Sequence, residues 1–156
     1  KEDWIIIDEN PNLNLYVVLG QGVYYGIANE CMNKMKEMGI INSEGNYSLE
    51  YRHGPMSLAD ENTLIINLVS DVSGEFDAKL LTELKSYGAK TLAIGEGVNK
   101  LIPDADYKME LSYGYSDMQY APLIGIIGQF IGYYIAQRKD IDADSPRNLS
   151  QAIVIK

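Results

Sequence analysis

One cysteine, Cys31, stands among 156 residues, so no disulfide can form within the chain. A reducing, cytoplasmic setting is expected. One histidine, His53, is present. With a single His, a single Cys and no ligand-like spacing, no metal site is expected. Basic residues are scarce: 13 Lys and Arg stand against 22 Asp and Glu, a net charge of −9. That balance argues against nucleic acid as a partner. It leaves room for a phosphorylated metabolite, because local backbone amides bind phosphate even in an acidic protein. No apolar run reaches the roughly 18 residues of a membrane span. The nearest, "APLIGIIGQFIGYYIA" at 121–136, holds Gln129 and glycines at 125, 128 and 132, and it reads as a buried helix, so no membrane contact is expected. The opening "KEDWIIIDEN" is acidic from its second residue, unlike a secretory leader. The chain begins without methionine, which fits processing or excision from something larger. No G-x-S-x-G elbow of a serine hydrolase occurs.

What is present alternates strand and helix. "LYVVLG" (15–20), "TLIINLVS" (63–70) and "KTLAIGEG" (90–97) are short apolar, β-branched runs of the kind found in buried parallel strands. "YKMEL" (107–111) and the region near Ile41–Glu44 predict shorter strands. A helix is predicted over 22–39, where Val23, Ile27, Cys31, Met35 and Met38 share one face and Gly39 is a candidate C-cap. A second helix is predicted over 74–88, closed by Gly88, and a third over 121–136. Ser48 is a candidate N-cap for a helical turn at 48–53 that Pro55 prevents from extending. "SPRNL" (145–149) reads as a turn with Pro at the first helical position. The pattern predicts an α/β fold: a parallel sheet covered on both faces, in one domain spanning 1–156, with 1–13 as an arm or linker. Ligands of such sheets sit at the carboxyl ends of the strands.

Several groups are candidates for chemistry. "LGQG" places Gly20, Gln21 and Gly22 between strand and helix. This fits both a plain tight turn and an approach to an anion at the helix N-terminus. It departs from G-x-G-x-x-G at Tyr25. Glu30, Lys34 and Glu37 lie at i, i+4 and i+7 and make one polar stripe, with Asn33 and Lys36 on other faces. Such a stripe fits a solvated ion pair as well as a reacting pair. His53, in "EYRHGPMSL", titrates near neutrality and suits acid–base work, and it equally suits a surface role. The turn "VSDVSGEFD" (69–77) lies where a phosphate sits in other α/β sheets, but Asp71 and Glu75 would repel one. Tyr113, Tyr115 and Tyr120 fit either a sugar site or a subunit contact.

Taken in order, "LGQG", "NKMKE" (33–37), "EYRHGPMSLAD" (50–60), "TLIINLVS", "APLIGIIGQFIGYYIA" and "DADSPRNLSQAIVI" (142–155) resemble the sugar isomerase (SIS) domain. The resemblance covers nearly the whole chain. It is closest to the second SIS domain of the glucosamine-6-phosphate synthases (glutamine–fructose-6-phosphate aminotransferases) and the related sugar-phosphate deaminases and isomerases. It implies a three-layer, flavodoxin-like sandwich with a five-stranded parallel sheet and helices on both faces. It implies aldose–ketose isomerisation through an enediol on an aminosugar phosphate of the glucosamine 6-phosphate or fructose 6-phosphate type. Glu37 is then the base that moves a proton between C1 and C2, Lys34 holds developing enolate charge, and His53 opens and closes the ring. In the family this histidine reaches the site of a neighbouring subunit, so a homodimer is implied, together with a first SIS domain that carries the phosphate-binding Ser/Thr cluster. No metal or organic cofactor is implied. Where the synthases carry a Schiff-base lysine after "PRNL", this chain has Gln151, which cannot form an imine. That favours a deaminase or isomerase. Regulators also use SIS domains, so a sugar-phosphate-sensing module without catalysis is the alternative, and a purely dimerising half is a third reading.

Overall fold

The five residues from Leu15 to Leu19 are all buried, and so is every residue from Thr63 to Leu68, as strands covered on both faces must be. The structure, a computed structural model, describes residues 5–112 and 114–150. The elements run α1 (Ile5–Glu9), β1 (Leu15–Gly20), α2 (Val23–Gly39), β2 (Ser43–Tyr47), two 3-10 turns (Tyr51–His53 and Pro55–Leu58), β3 (Thr63–Leu68), α3 (Gly74–Ser86), β4 (Lys90–Gly95), α4 (Val98–Leu101), β5 (Tyr107–Glu110) and α5 (Asp117–Arg138). The sheet order is β2-β1-β3-β4-β5 and every pairing is parallel. The expected α/β sandwich with helices on both faces is therefore present. No helix among the described residues is long and apolar enough to cross a membrane.

Strand alternation divides the core in two. Tyr16, Val18, Leu64, Ile66 and Ile94 face α1, α2 and α5. Leu15, Val17, Leu19, Ile65 and Ala93 face α3, α4 and the 3-10 turns, which contribute Leu80, Leu84, Val98 and Tyr51. Residues 5–9, expected to be part of an arm, belong to this core: Ile6 and Ile7 are buried, and Asp8 pairs with Arg138 and accepts a hydrogen bond from Tyr134.

Local chemistry moves several boundaries. The helix predicted over 121–136 begins at Asp117, because Ser116 and Gln119 form a reciprocal capping box, a signal readable as S-x-x-Q. The strand expected near Ile41–Glu44 lies at Ser43–Tyr47, where the polar sequence SEGNY carries little β signal. The buried face of α2 is Tyr24, Ala28, Cys31, Met35 and Gly39. Val23 and Ile27 sit only at its margin. Gly39 is not the cap. Ile40 ends the helix in the left-handed region at φ 47°, and Gly39 is small for another reason: a Cβ there would lie 2.9 Å from Ile135 Cγ2. Gly88, at φ +99°, closes α3 as expected, its N–H donating to the Lys85 carbonyl. Ser48 caps nothing; its hydroxyl donates to Asn67 Oδ1 at 3.3 Å. "SPRNL" forms a turn, with Leu149 N–H donating to the Pro146 carbonyl, and no helix follows within the described residues.

Candidate functional site

On the outer surface of α2, near its C-terminal end, Glu37 is held by both carboxylate oxygens. Asn33 Nδ2 donates to Oε1 at 2.8 Å, and Lys34 Nζ donates to Oε2 at 3.0 Å. Glu30 stands 3.7 Å from the same ammonium. The spacing expected for Lys34 and Glu37 thus produces a contact. Asn33, read from the sequence as lying on another face, is a member of the cluster because i and i+4 are neighbours on a helix. The bond to Glu37, aided by the charges of Glu37 and Glu30 and opposed by desolvation, holds the Lys34 ammonium above its ordinary pKa. Lys34 therefore stays cationic at neutral pH and remains available to stabilise an oxyanion. About a third of the Glu37 side chain is exposed, so the carboxylate is accessible from outside.

The "GQG" loop lies at the other end of the domain. Gly20 closes β1, and a Cβ on it would fall 2.3 Å from the Tyr24 carbonyl oxygen. Gly22 takes φ 58° as α2 begins. Across the loop, Tyr25 stacks on Tyr47 with ring centroids 3.6 Å apart. At 1.5 Å per residue, α2 sets Glu37 about 22 Å from Gly22. The proposed substrate-binding residues Gly20, Gln21 and Gly22 are therefore not brought together with Lys34 and Glu37 within this chain. Gln151 lies outside the described residues.

The strand order makes the gap between the ends of β1 and β3 the topological switch point, where ligands of open α/β sheets bind. Here the protein fills the gap with its own carboxylate. Asp117, the first residue of α5, accepts from Ser70 Oγ at 2.6 Å and from Asp71 N–H at 3.1 Å. Beside it opens a crevice of about 470 Å³ lined by Ser70, Asp71, Glu75, Phe76, Glu96 and Leu101. Desolvation and the neighbouring Asp117 charge hold the Asp71 carboxyl above its usual range. Such a wall repels a phosphate dianion, and the turn's Ser70 and Asp71 amides are already taken by Asp77 and Asp117. Sequence reasoning foresaw the repulsion by Asp71 and Glu75. It missed Asp117, which arrives from 46 residues further along with no local signal. Tyr115 and Tyr120 make an edge contact at 5.6 Å, and Tyr113 lies outside the described residues.

His53 ends the first 3-10 turn and is exposed. Its turn is anchored by Tyr51, fully buried in the α3 layer, where burial followed by the Glu44 charge pushes the phenol up to about 12. Arg52 pairs with Glu83 of α3 at 2.7 Å, so this flanking base is scaffold. Glu50 is the N-cap position of the turn. Glu37 and His53 therefore belong to layers on opposite faces of one sheet, and a single copy of the chain does not bring them together.

An open five-stranded parallel sheet with helices on both faces, and a carboxylate bonded into the turn at its switch point, defines the class as an α/β sandwich domain. The family model for the SIS domain matches residues 14–136, and the chain belongs to that family. It is similar to the isomerizing glutamine–fructose-6-phosphate aminotransferase of Sulfurisphaera tokodaii, at 33% identity over 143 residues, covering 92% of this chain and 23% of the relative. Among solved structures it is similar to glucosamine-6-phosphate deaminase from Thermotoga maritima, with TM-score 0.82, 30% identity and coverage of 98% of this chain and 45% of that one. It is also similar to the C-terminal domain of glucosamine-fructose-6-phosphate aminotransferase from Francisella tularensis, with TM-score 0.77, 27% identity and coverage of 92% and 43%. The chain thus spans less than a quarter of the aminotransferase it matches.

Proposed function

We propose that this chain is the C-terminal SIS domain of an aminosugar-phosphate isomerase or deaminase, acting on a glucosamine 6-phosphate or fructose 6-phosphate type of substrate, and that it supplies part of a composite site. The observation that carries this reading is the Asn33–Lys34–Glu37 cluster: a carboxylate held by two donors beside a cation, on an accessible helix surface. Interconversion of aldose and ketose removes a proton from one carbon of the C1–C2 pair and returns it to the other, and one fixed carboxylate performs both transfers. Lys34 faces the charge that develops on the enediolate oxygen. His53 exchanges the ring-opening proton, taking it from the anomeric hydroxyl and delivering it to the ring oxygen.

Two further observations support a composite site. The acidic switch point is a poor phosphate site, in keeping with a phosphate bound by a first SIS domain. The separation of Glu37 and His53 by the sheet is in keeping with a homodimer in which His53 of one subunit serves the other. A surface for such contacts exists. Between Asp117 and Arg138, α5 carries no charge, and Met118, Leu123, Ile126 and Tyr133 are exposed. Gln151 in place of a Schiff-base lysine favours deaminase or isomerase chemistry over synthase chemistry.

The test uses the full-length protein that contains this chain. With glucosamine 6-phosphate as substrate, ammonia release and fructose 6-phosphate formation are measured for the wild type and for Glu37→Gln. The expected loss in kcat is about 10²–10⁴-fold. Undiminished turnover in the variant would remove Glu37 from the mechanism. Tight sugar-phosphate binding with no turnover in the wild type would favour the sensing role.

A further inference from the structure

Beneath the turn that carries His53 lies a set of polar groups in an otherwise apolar layer. Ser48, Asn67 and Asp77 are completely buried, and Ser70 and Ser73 are nearly so. The same layer holds the buried Leu19, Tyr51, Ile65 and Leu80. Asp77 Oδ2 accepts from Ser73 Oγ at 2.8 Å and from Ser70 N–H at 3.4 Å. Asn67 Oδ1 accepts from Ser48 Oγ, and Ser48 N–H donates to the Gly20 carbonyl at 3.3 Å. The two remaining atoms, Asn67 Nδ2 and Asp77 Oδ1, are buried and each lacks a bonded partner. One is a donor and the other an acceptor, and a buried polar group without a partner is costly. Burial pushes the Asp77 carboxyl up, while Ser73, Ser70, Asn67 and Ser48 in turn pull it back, so Asn67 and Ser48 lie within its electrostatic reach.

The arrangement orients an amide. A carboxylate on the α3 side attracts the Asn67 NH2 and repels its oxygen, which turns Oδ1 toward Ser48. Ser48 is the first residue past β2, three residues before the Tyr51–His53 turn. We propose that Asp77 is a positioning residue: through Asn67 and Ser48 it fixes where the His53 segment leaves the sheet, and so the placement of the imidazole. The value of that placement for turnover rests on the reading of His53 given above.

Hydrogen–deuterium exchange on the full-length protein, read over residues 48–58, tests the positioning without reference to activity. In Asp77→Ala, and in Ser48→Ala, which cuts only the outer link and leaves Asp77 its donors from Ser73 and Ser70, the His53 amide, bonded to the Glu50 carbonyl at 3.0 Å, is expected to exchange about tenfold faster. Protection in α5 and β4 stays unchanged. Asp77→Asn keeps an acceptor toward Ser73 and Ser70 but turns its NH2 toward the Asn67 NH2, so it is expected to speed exchange as Asp77→Ala does, and wild-type protection in it would also overturn the proposal. Unchanged exchange over 48–58 in both alanine variants, or a uniform loss across the whole domain, overturns the proposal. Turnover separates the two layers of the argument. Faster exchange with a lower kcat and an unmoved KM supports both. Faster exchange with kcat intact keeps Asp77 as the positioning residue and removes His53 from the reaction.

Discussion

On one side of the sheet α2 and α5 meet through small residues: a Cβ at Gly128 would lie 2.1 Å from Cys31 Sγ, and one at Gly132 would lie 3.0 Å from the Lys34 carbonyl oxygen. On the other side α3 packs with Leu80, Leu81 and Leu84, yet it also buries Asp77 and its serine and asparagine partners. The first layer buries Ser43, whose hydroxyl donates to the Met32 carbonyl at 2.8 Å, but no carboxylate, so the Lys34–Glu37 pair stands on a surface whose support is mainly apolar and tightly spaced. The second layer keeps polar residues inside and leaves His53 outside on a turn. The contrast sets out two ways of fixing a candidate group: by mounting it on a long helix clamped from below or, as proposed for His53, by tying a short turn to a buried polar network.

The sharpest way to break the comparison is at the helix clamp. Gly128→Val drives a side chain into Cys31 and the α2 backbone. The expected cost is about 3 kcal/mol, seen as a lower urea midpoint with little change in slope. A loss below about 1 kcal/mol would mean the two helices separate easily, and the clamp idea fails. A smaller effect is expected at Asp106, which borders the α3 layer. Burial raises its carboxyl, but Lys85 at 2.7 Å and two donors from Thr91 outweigh it and hold the group below its usual value. A carboxylate with a lowered folded pKa contributes stability above its unfolded pKa, and that contribution is lost as pH falls through the folded value. Asp106→Asn should therefore cost about 1 kcal/mol at pH 7, after discounting the exposed Lys85 for solvent screening. The gap to the wild type should narrow in urea melts when the pH is taken from 7 to well below the ordinary carboxylate pKa of about 3.9. An equal gap at both pH values would contradict the ion-pair account. The smallest stability effect is expected for Ile126→Glu on the uncharged face of α5, within about 0.5 kcal/mol. The same substitution should weaken subunit or domain association in analytical ultracentrifugation of the full-length protein. A fully assembled variant would remove that face from the contact.

The fold was legible wherever burial on both faces left a continuous apolar run: β1 has the bounds its sequence predicts, and β3 and β4 start where expected. The polar strand β2 was located only roughly, because an edge strand needs less apolar signal. In α5 the capping box at Ser116 and Gln119 was present in the sequence but masked by the stronger apolar run beyond Pro122. At the candidate site the Lys34–Glu37 contact followed from local spacing, and Asn33 was open to the same rule. Asp117 in the switch point and Asp77 beneath the His53 turn were not readable, because their partners come from other elements and only the assembled sheet supplies them. The placement of His53 on the face opposite Glu37 escaped for a related reason: residues 48–62 form two short turns with no helical period to declare a side.

Lys139 reaches back to the end of α2 and donates to the carbonyls of Gly39 and Ile40 at 2.9 and 2.8 Å. These are carbonyls that a helix leaves without partners, and a cation suits that end of its dipole. The contact spans about a hundred residues of sequence, and contacts of that range close slowly because a long loop must be ordered first. In time as well as in space, then, the two ends of this contact are joined: the last carbonyls of α2 gain these donors only once the end of α5 has docked.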